Sequence, residues 1–210
     1  MANFRTHTSF SVVLAVATVV AGLIFSLIYS PLVALGIFLV VIFGSFLPDL
    51  DLDDGMPFQI FFGLIGLAFS ALAFLIFFQD GQRDWRILAG IVLGVFVLFR
   101  FVLGYFFMKL TSHRGMFHSI PVAMLFGLIL IKAIRLVGVG MVEALLYSLG
   151  LVIGYLGHLI LDEIYSTVGF HGLISGPKKS LGSALKFFSH SMLINLIVYG
   201  SIIILAWQIF

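Results

Sequence analysis

The chain has 210 residues, is 62% hydrophobic and only 10% charged, and contains no cysteine. So little charge cannot cover a water-soluble domain, where about a quarter of residues are charged, and without cysteine there is neither a disulfide nor a thiolate metal ligand. A formal net charge of +2 gives no reason to expect a nucleic-acid partner. Crossing a bilayer takes roughly 20 predominantly apolar residues. In chain order, seven stretches qualify as spans: about 10–29, 32–48, 58–78, 87–107, 119–135, 143–164 and 191–209. The second and fifth are the shortest. Only Tyr29, Ser30 and Pro31 separate the first two, which predicts a tight helical hairpin with Pro31 in the first turn of the second helix. The first run is too long for a signal-peptide core and is expected to be retained. These features predict an all-α, polytopic helical membrane protein of about seven transmembrane helices, forming one integral membrane domain over 1–210.

Threading seven spans through a membrane sorts the connections onto two sides. The side of the amino terminus receives residues 1–9, 49–57, 108–118 and 165–190. The residues His7, His113, His118, His158, His171 and His190, which are all the histidines, fall on or near that side. So do Asp49, Asp51, Asp53, Asp54, Asp162 and Glu163, leaving only Asp80, Asp84 and Glu143 at the other. Lys and Arg follow the same bias: Arg5, Lys109, Arg114, Lys178, Lys179 and Lys186 against Arg83, Arg86 and Arg135. By the positive-inside rule this predicts a cytoplasmic location for the histidine-rich side. Arg100 and Lys132 lie inside spans, near enough to the ends to snorkel.

The sixth span, "GYLGHLILDEIY", places His158 and Asp162 four residues apart. On a helix these positions share a face, close enough to hold one ion. Gly150, Gly154 and Gly157 would let neighbouring helices approach that segment closely. In "SHRGMFHS", His113 and His118 are off-face for a helix and fit a short turn opening into the fifth span, with Pro121 in its first turn. "RTHTS" supplies His7 just ahead of the first span. Ionisable residues within spans are expensive and tend to be functional, and here separate segments deliver His and Asp to one face of the membrane. His171 and His190 have no partner at helical spacing and are assigned to ordinary packing or hydrogen bonding.

The acidic stretch "SFLPDLDLDDG" fails three familiar patterns. Counted from Asp49, an EF-hand would need Gly and Glu where Asp54 and Ile60 stand. A CDP-alcohol phosphotransferase motif would need Ala-Arg where Phe58 and Gln59 stand, and the type-2 phosphatidic acid phosphatase pattern would need Arg at Val152. One pattern does fit. "LPDLD" (47–51), "HRGMFHS" (113–119) and "GYLGHLILD" (154–162), with an early histidine, resemble the YdjM-like family across about residues 5–170. Its members are described as LexA-binding, inner-membrane-associated hydrolases or membrane-bound metal-dependent hydrolases. The chain departs from the family pattern at Leu52, where a histidine is expected, and at Phe117, where threonine is expected. The motifs are also distantly similar to those of zinc-dependent phospholipases C.

The resemblance implies a metal site built from His7, Asp49, Asp51, His113, His118, His158 and Asp162. That set exceeds what one tetrahedral ion takes, so two ions are allowed, bridged by Asp51 or Asp162. Imidazole and carboxylate without thiolate suit zinc, with manganese or iron as alternatives. Asp53 or Asp54 follows the missing histidine and is the candidate substitute for that ligand, or the candidate general base or proton shuttle. Arg114, with Lys178, Lys179 and Lys186 of "GPKKSLGSALK", is a candidate phosphate holder; for the lysines, interfacial anchoring is the equal alternative. The implied activity is hydrolysis of a phosphoester in a lipid or lipid-linked substrate. A cation transporter and a scaffold with a structural metal are the competing classes. Against transport stand the absence of an inverted repeat and the gathering of these residues at one end rather than the midplane.

Overall fold

Residues 4–51, 55–110, 116–167, 185–189 and 191–210 are described by the computed structural model. Among them the regular elements are helical, with no strand. In chain order they are α1 (Phe4–Ile24), α2 (Pro31–Phe46), a 3-10 turn (Pro48–Asp51), α3 (Met56–Gln79), α4 (Trp85–Val97), a π segment (Leu98–Leu103), α5 (Gly104–Leu110), α6 (Ile120–Leu136), α7 (Met141–Thr167) and α8 (Met192–Ile209). Because α4, the π segment and α5 follow without a break, the described residues form seven helical rods, one for each expected span. Five are long and apolar enough to cross a membrane: Arg5–Ile24, Phe58–Gln79, Trp85–Lys109, Met141–Tyr165 and Met192–Ile209. The second and fifth rods, α2 and α6, have 16 and 17 residues and are the shortest, as hydropathy predicts. The protein is an all-α membrane protein.

The chain forms two compact units, Met1–Pro48 with Arg114–Phe210, and Asp49–His113. In the first, α7 is the central helix: 56% of its apolar window is buried, against 17% for α1 and 6% for α8. It packs against α1, α2 and α6, while α8 packs on α6. Lipid tails are as apolar as leucine, so helices in a bilayer associate by close packing and not by hydrophobic burial alone. Glycine makes that approach possible here. A Cβ on Gly154 would meet the Val41 carbonyl of α2, and one on Gly44 of α2 would meet the Leu151 carbonyl of α7. Gly157 is covered by Leu14 of α1. The glycines of the sixth span therefore do what their spacing predicts.

In the second unit α3 packs against α4 and the π segment. Phe62 lies between Phe58 and Phe107, with ring centroids 4.6 and 5.3 Å away. The Ser70 hydroxyl donates to the Val92 carbonyl across the helices at 2.9 Å. Arg100, in the π segment, lies over the rings of Phe58 (5.8 Å) and Phe101 (5.2 Å), so cation–π contacts hold a guanidinium expected only to snorkel. Lys132, the other cation within a span, donates to Gln208 of α8 in the first unit.

Two expectations need correction. The first helix starts at Phe4 and ends at Ile24, where hydropathy places a span over 10–29, so residues 25–30 form the connection to α2. Ser26 adopts φ 56°, Ser26 N–H donates to Leu23 O, and Leu27 N–H donates to Gly22 O at 2.8 Å. That pair of bonds is a Schellman ending. Ile28 then folds back onto α1, where a Cβ on Gly22 would lie 2.6 Å from it. Phe25, Leu27 and Ile28 are as apolar as the helix they leave, so hydropathy does not register the break. At the other end α1 continues past the apolar run, and His7 lies within the helix rather than ahead of it. As expected, Pro31 opens α2, capped by the Ser30 hydroxyl.

Candidate functional site

Three pieces of the first unit bring ionisable side chains together at one end of α7. His158 and Asp162 come from successive turns of α7, His7 from the second turn of α1, and His118 from the turn that precedes α6. Each is held by local packing. Leu14, one heptad beyond His7, rests on Gly157, which sets α1 against α7 with His7 facing the same seam. Tyr155 donates to the Phe117 carbonyl and so ties the 116–119 turn to α7 one turn from His158. Ser119 closes that turn through the Met116 carbonyl, and Pro121 lies in the first turn of α6 as expected. The backbone around Lys186 adds an outer support: its carbonyl accepts from Ile120 N–H at 3.1 Å.

The cluster is closed off from solvent: His118 is 0%, His158 and Asp162 1%, and His7 4% exposed. His7 Nε2 stands 3.3 Å from one oxygen of Asp162, and His118 Nε2 3.9 Å from the other. His7 and His158 stack at 3.9 Å and 15°, and His118 meets His158 edge to face at 5.9 Å. His7, His158 and Asp162 each offer a donor atom within 4.8 Å of the other two. Among the described residues, no hydrogen bond reaches either oxygen of Asp162 or Nδ1 of His7. Withdrawing a carboxylate from water without donors costs several kcal/mol. A cation shared with the imidazoles would remove that penalty. The donor set fits one: atoms sharing a tetrahedral ion at bonds of about 2.0 Å stand about 3.3 Å apart, the separation found between His7 and Asp162. Stacked rings direct their in-plane lone pairs side by side, so one of His7 and His158 must tilt for both to reach the same ion.

Asp49 is the first residue of the second unit, buried at 6% exposure in the 3-10 turn directly after Pro48. Asp51 ends that turn, and its side chain lies outside the described part of the structure. Asp53, Asp54, His113, Arg114, His171, Lys178, Lys179 and His190 lie outside the described residues. Sequence reasoning missed Tyr155. The signal was present, since Tyr155 precedes His158 by three positions and Asp162 by seven and shares their face.

An all-α polytopic membrane protein with a buried three-histidine, one-aspartate cluster at one end of its central helix is the class that fold and geometry define. The family follows from comparison with known proteins. The chain belongs to the YdjM inner membrane protein family, whose model matches residues 1–173, a range that includes all four clustered residues. No curated protein and no solved structure matches it.

Proposed function

We propose that the protein is a membrane-bound, metal-dependent hydrolase acting on a phosphoester of a lipid or lipid-linked substrate. The observation that supports it most is Asp162: a buried carboxylate facing three imidazoles, with His7 Nε2 3.3 Å from one oxygen and His118 Nε2 3.9 Å from the other. His7, His118, His158 and Asp162 would hold a divalent cation, best zinc, with manganese or iron as alternatives. Asp49 and Asp51, and His113, enter from the motifs and allow a second ion. Such a cation supplies Lewis acidity toward a phosphoryl oxygen and activation of water. In hydrolysis, water adds to phosphorus, the bond to the leaving oxygen breaks, and the proton lost by the water is returned to that oxygen. Asp53 or Asp54 takes the first proton on this reading. Arg114, Lys178 and Lys179 grip the phosphate, and Arg114→Ala then raises KM more than it lowers kcat. The Lys and Arg distribution favours a cytoplasmic face for this end of the protein, and on this reading a reporter fused to the carboxyl terminus should report the opposite compartment.

The low exposure of the four residues favours a second reading, a scaffold with a structural metal, because structural sites are closed whereas catalytic sites keep an open position. An activity screen separates the two. Purified protein in lipid vesicles, stripped with a chelator and reloaded with zinc, is offered phosphomonoester, phosphodiester and carboxylester lipids. Hydrolysis lost on stripping and restored on reloading is the expected result. A metal-loaded, folded preparation that cleaves none of them overturns the hydrolase and leaves the scaffold. Cation flux through the vesicles from that preparation would point to the transporter.

A further inference from the structure

Ser119 occupies the N-cap of α6, yet its hydroxyl makes no capping bond and donates to the Met116 carbonyl instead. The N–H groups in the first turn of a helix need acceptors from outside it. For Ile120 that acceptor is the Lys186 carbonyl at 3.1 Å, so residues 119 and 186 form a parallel backbone bridge. The 185–189 strap that supplies the carbonyl is fastened at its other end to α8. Asn195 grips Ser189 in both directions: its side-chain oxygen accepts from Ser189 N–H at 2.8 Å, and its amide donates to Ser189 O at 2.9 Å. Tyr199, one turn on, donates to Phe187 O at 2.9 Å and sets its ring against Phe188 at 5.5 Å. One continuous run of contacts therefore leads from α8 to the residue beside His118.

We propose that Asn195 and Tyr199 are positioning residues, which act through the strap to hold His118 at the cation site. The proposal rests on the metal site proposed above. His7, His158 and Asp162 ride on α1 and α7, whose backbones are fixed by their own helical hydrogen bonds. His118 alone of the four sits on a turn, and a turn takes its geometry from contacts outside itself. Tyr155 supplies one such contact from α7, and the strap supplies the other from α8. His118 is also the imidazole farther from Asp162, at 3.9 Å against 3.3 Å for His7, so its reach depends most on where its backbone is held. Anchoring α8 alone would require the bonds to Ser189 and Phe187 but not the bridge to Ser119. Asn195 and Tyr199 lie beyond residues 1–173, the range that the family model matches.

A double-mutant cycle in zinc affinity tests it, read by competition titration on the full chain in detergent. Asn195→Ala cuts both bonds to Ser189 and should weaken zinc binding about 10–100-fold. Tyr199→Phe removes one bond, keeps the ring and should cost less; it carries the same cycle if Asn195→Ala folds poorly. In His118→Ala, already weakened, neither substitution should add anything, because residues that act through one ligand are not additive. A second readout needs no metal. The chain has no cysteine, and Ser119 is fully buried, so Ser119→Cys reports on the turn alone through its reaction with a maleimide. Asn195→Ala should speed that reaction several-fold in protein stripped of metal. Equal losses of zinc affinity with and without His118 overturn the proposal and leave the metal site standing. A wild type that binds no zinc removes the metal reading, and the maleimide rate then decides the strap. A rate that Asn195→Ala leaves unchanged overturns the strap as well, whereas a faster one upholds it as the hold on the His118 turn.

Discussion

The two ends of the α1/α7 pair treat ionisable groups in opposite ways. At the far end, Glu143 accepts a hydrogen bond from the Tyr29 hydroxyl, and Tyr29 is 64% exposed. That carboxylate has its donor. At the near end, Asp162 is buried among imidazoles and no hydrogen bond reaches its oxygens from the described residues. A polar group whose needs are met within the chain is accounted for by folding alone. One that meets only buried imidazoles, at a site built by three separate segments, is where we propose a bound cation. The contrast is the reason for reading the near end as a site and the far end as structure.

The largest way to break that contrast is to pull the helices apart. In Gly154→Val the new side chain meets the Val41 carbonyl of α2, backbone that cannot give way. Overpacking of ordinary side chains costs about 1–3 kcal/mol, and a backbone clash exceeds it. Loss of the folded protein in detergent, read by size-exclusion chromatography, is the expected outcome. Tyr155→Phe is milder. It leaves the ring in place and strips the Phe117 carbonyl of its donor, at a loss of about 1–3 kcal/mol for a buried group. Because that bond steers His118, metal affinity should fall about 10–100-fold, as for other supporting contacts around metals. Unchanged affinity by competition titration would detach the turn from the site.

The smallest effect belongs to the far end. The hydrogen bond to Glu143, with lesser contributions from desolvation and from the charges of Glu143 and Tyr147, raises the Tyr29 pKa above its usual value of 10.0. A raised pKa favours the protonated folded state. Its contribution to stability is thus complete below pH 10 and disappears as pH rises through the folded pKa. Phenolate absorbance in an alkaline titration should show one late tyrosine that becomes ordinary in Glu143→Gln. Tyr29→Phe should lower stability at neutral pH only slightly, because the pair is exposed.

Much of this is legible in the sequence, for identifiable reasons. His158 and Asp162 are separated by one helical turn, and that periodicity survives any tertiary arrangement. Gly154 and Gly157 stand on the helix with the densest packing, where small residues can only mean close approach. His7 shows the limit: hydropathy marks where lipid begins, not where a helix begins, so α1 extends one and a half turns beyond its apolar run. The Schellman ending at Ser26 and the π segment at Leu98–Leu103 are equally silent, since each has a single polar residue, Ser26 or Arg100, set among apolar ones. Tyr155 was visible only as an aromatic residue on a buried face. Its role depends on Phe117, 38 positions earlier in the chain, and no local pattern encodes that contact.

Metal content is the most direct test of the central claim, measured on three proteins purified in parallel: wild type, Asp162→Asn and Glu143→Gln. Asparagine keeps the shape of the buried side chain and removes its charge, and the far-end variant controls for the loss of any carboxylate. The account predicts bound divalent metal in wild type and Glu143→Gln, and little or none in Asp162→Asn at unchanged helical content. Equal metal in all three, or none in folded wild type after incubation with zinc, would contradict it.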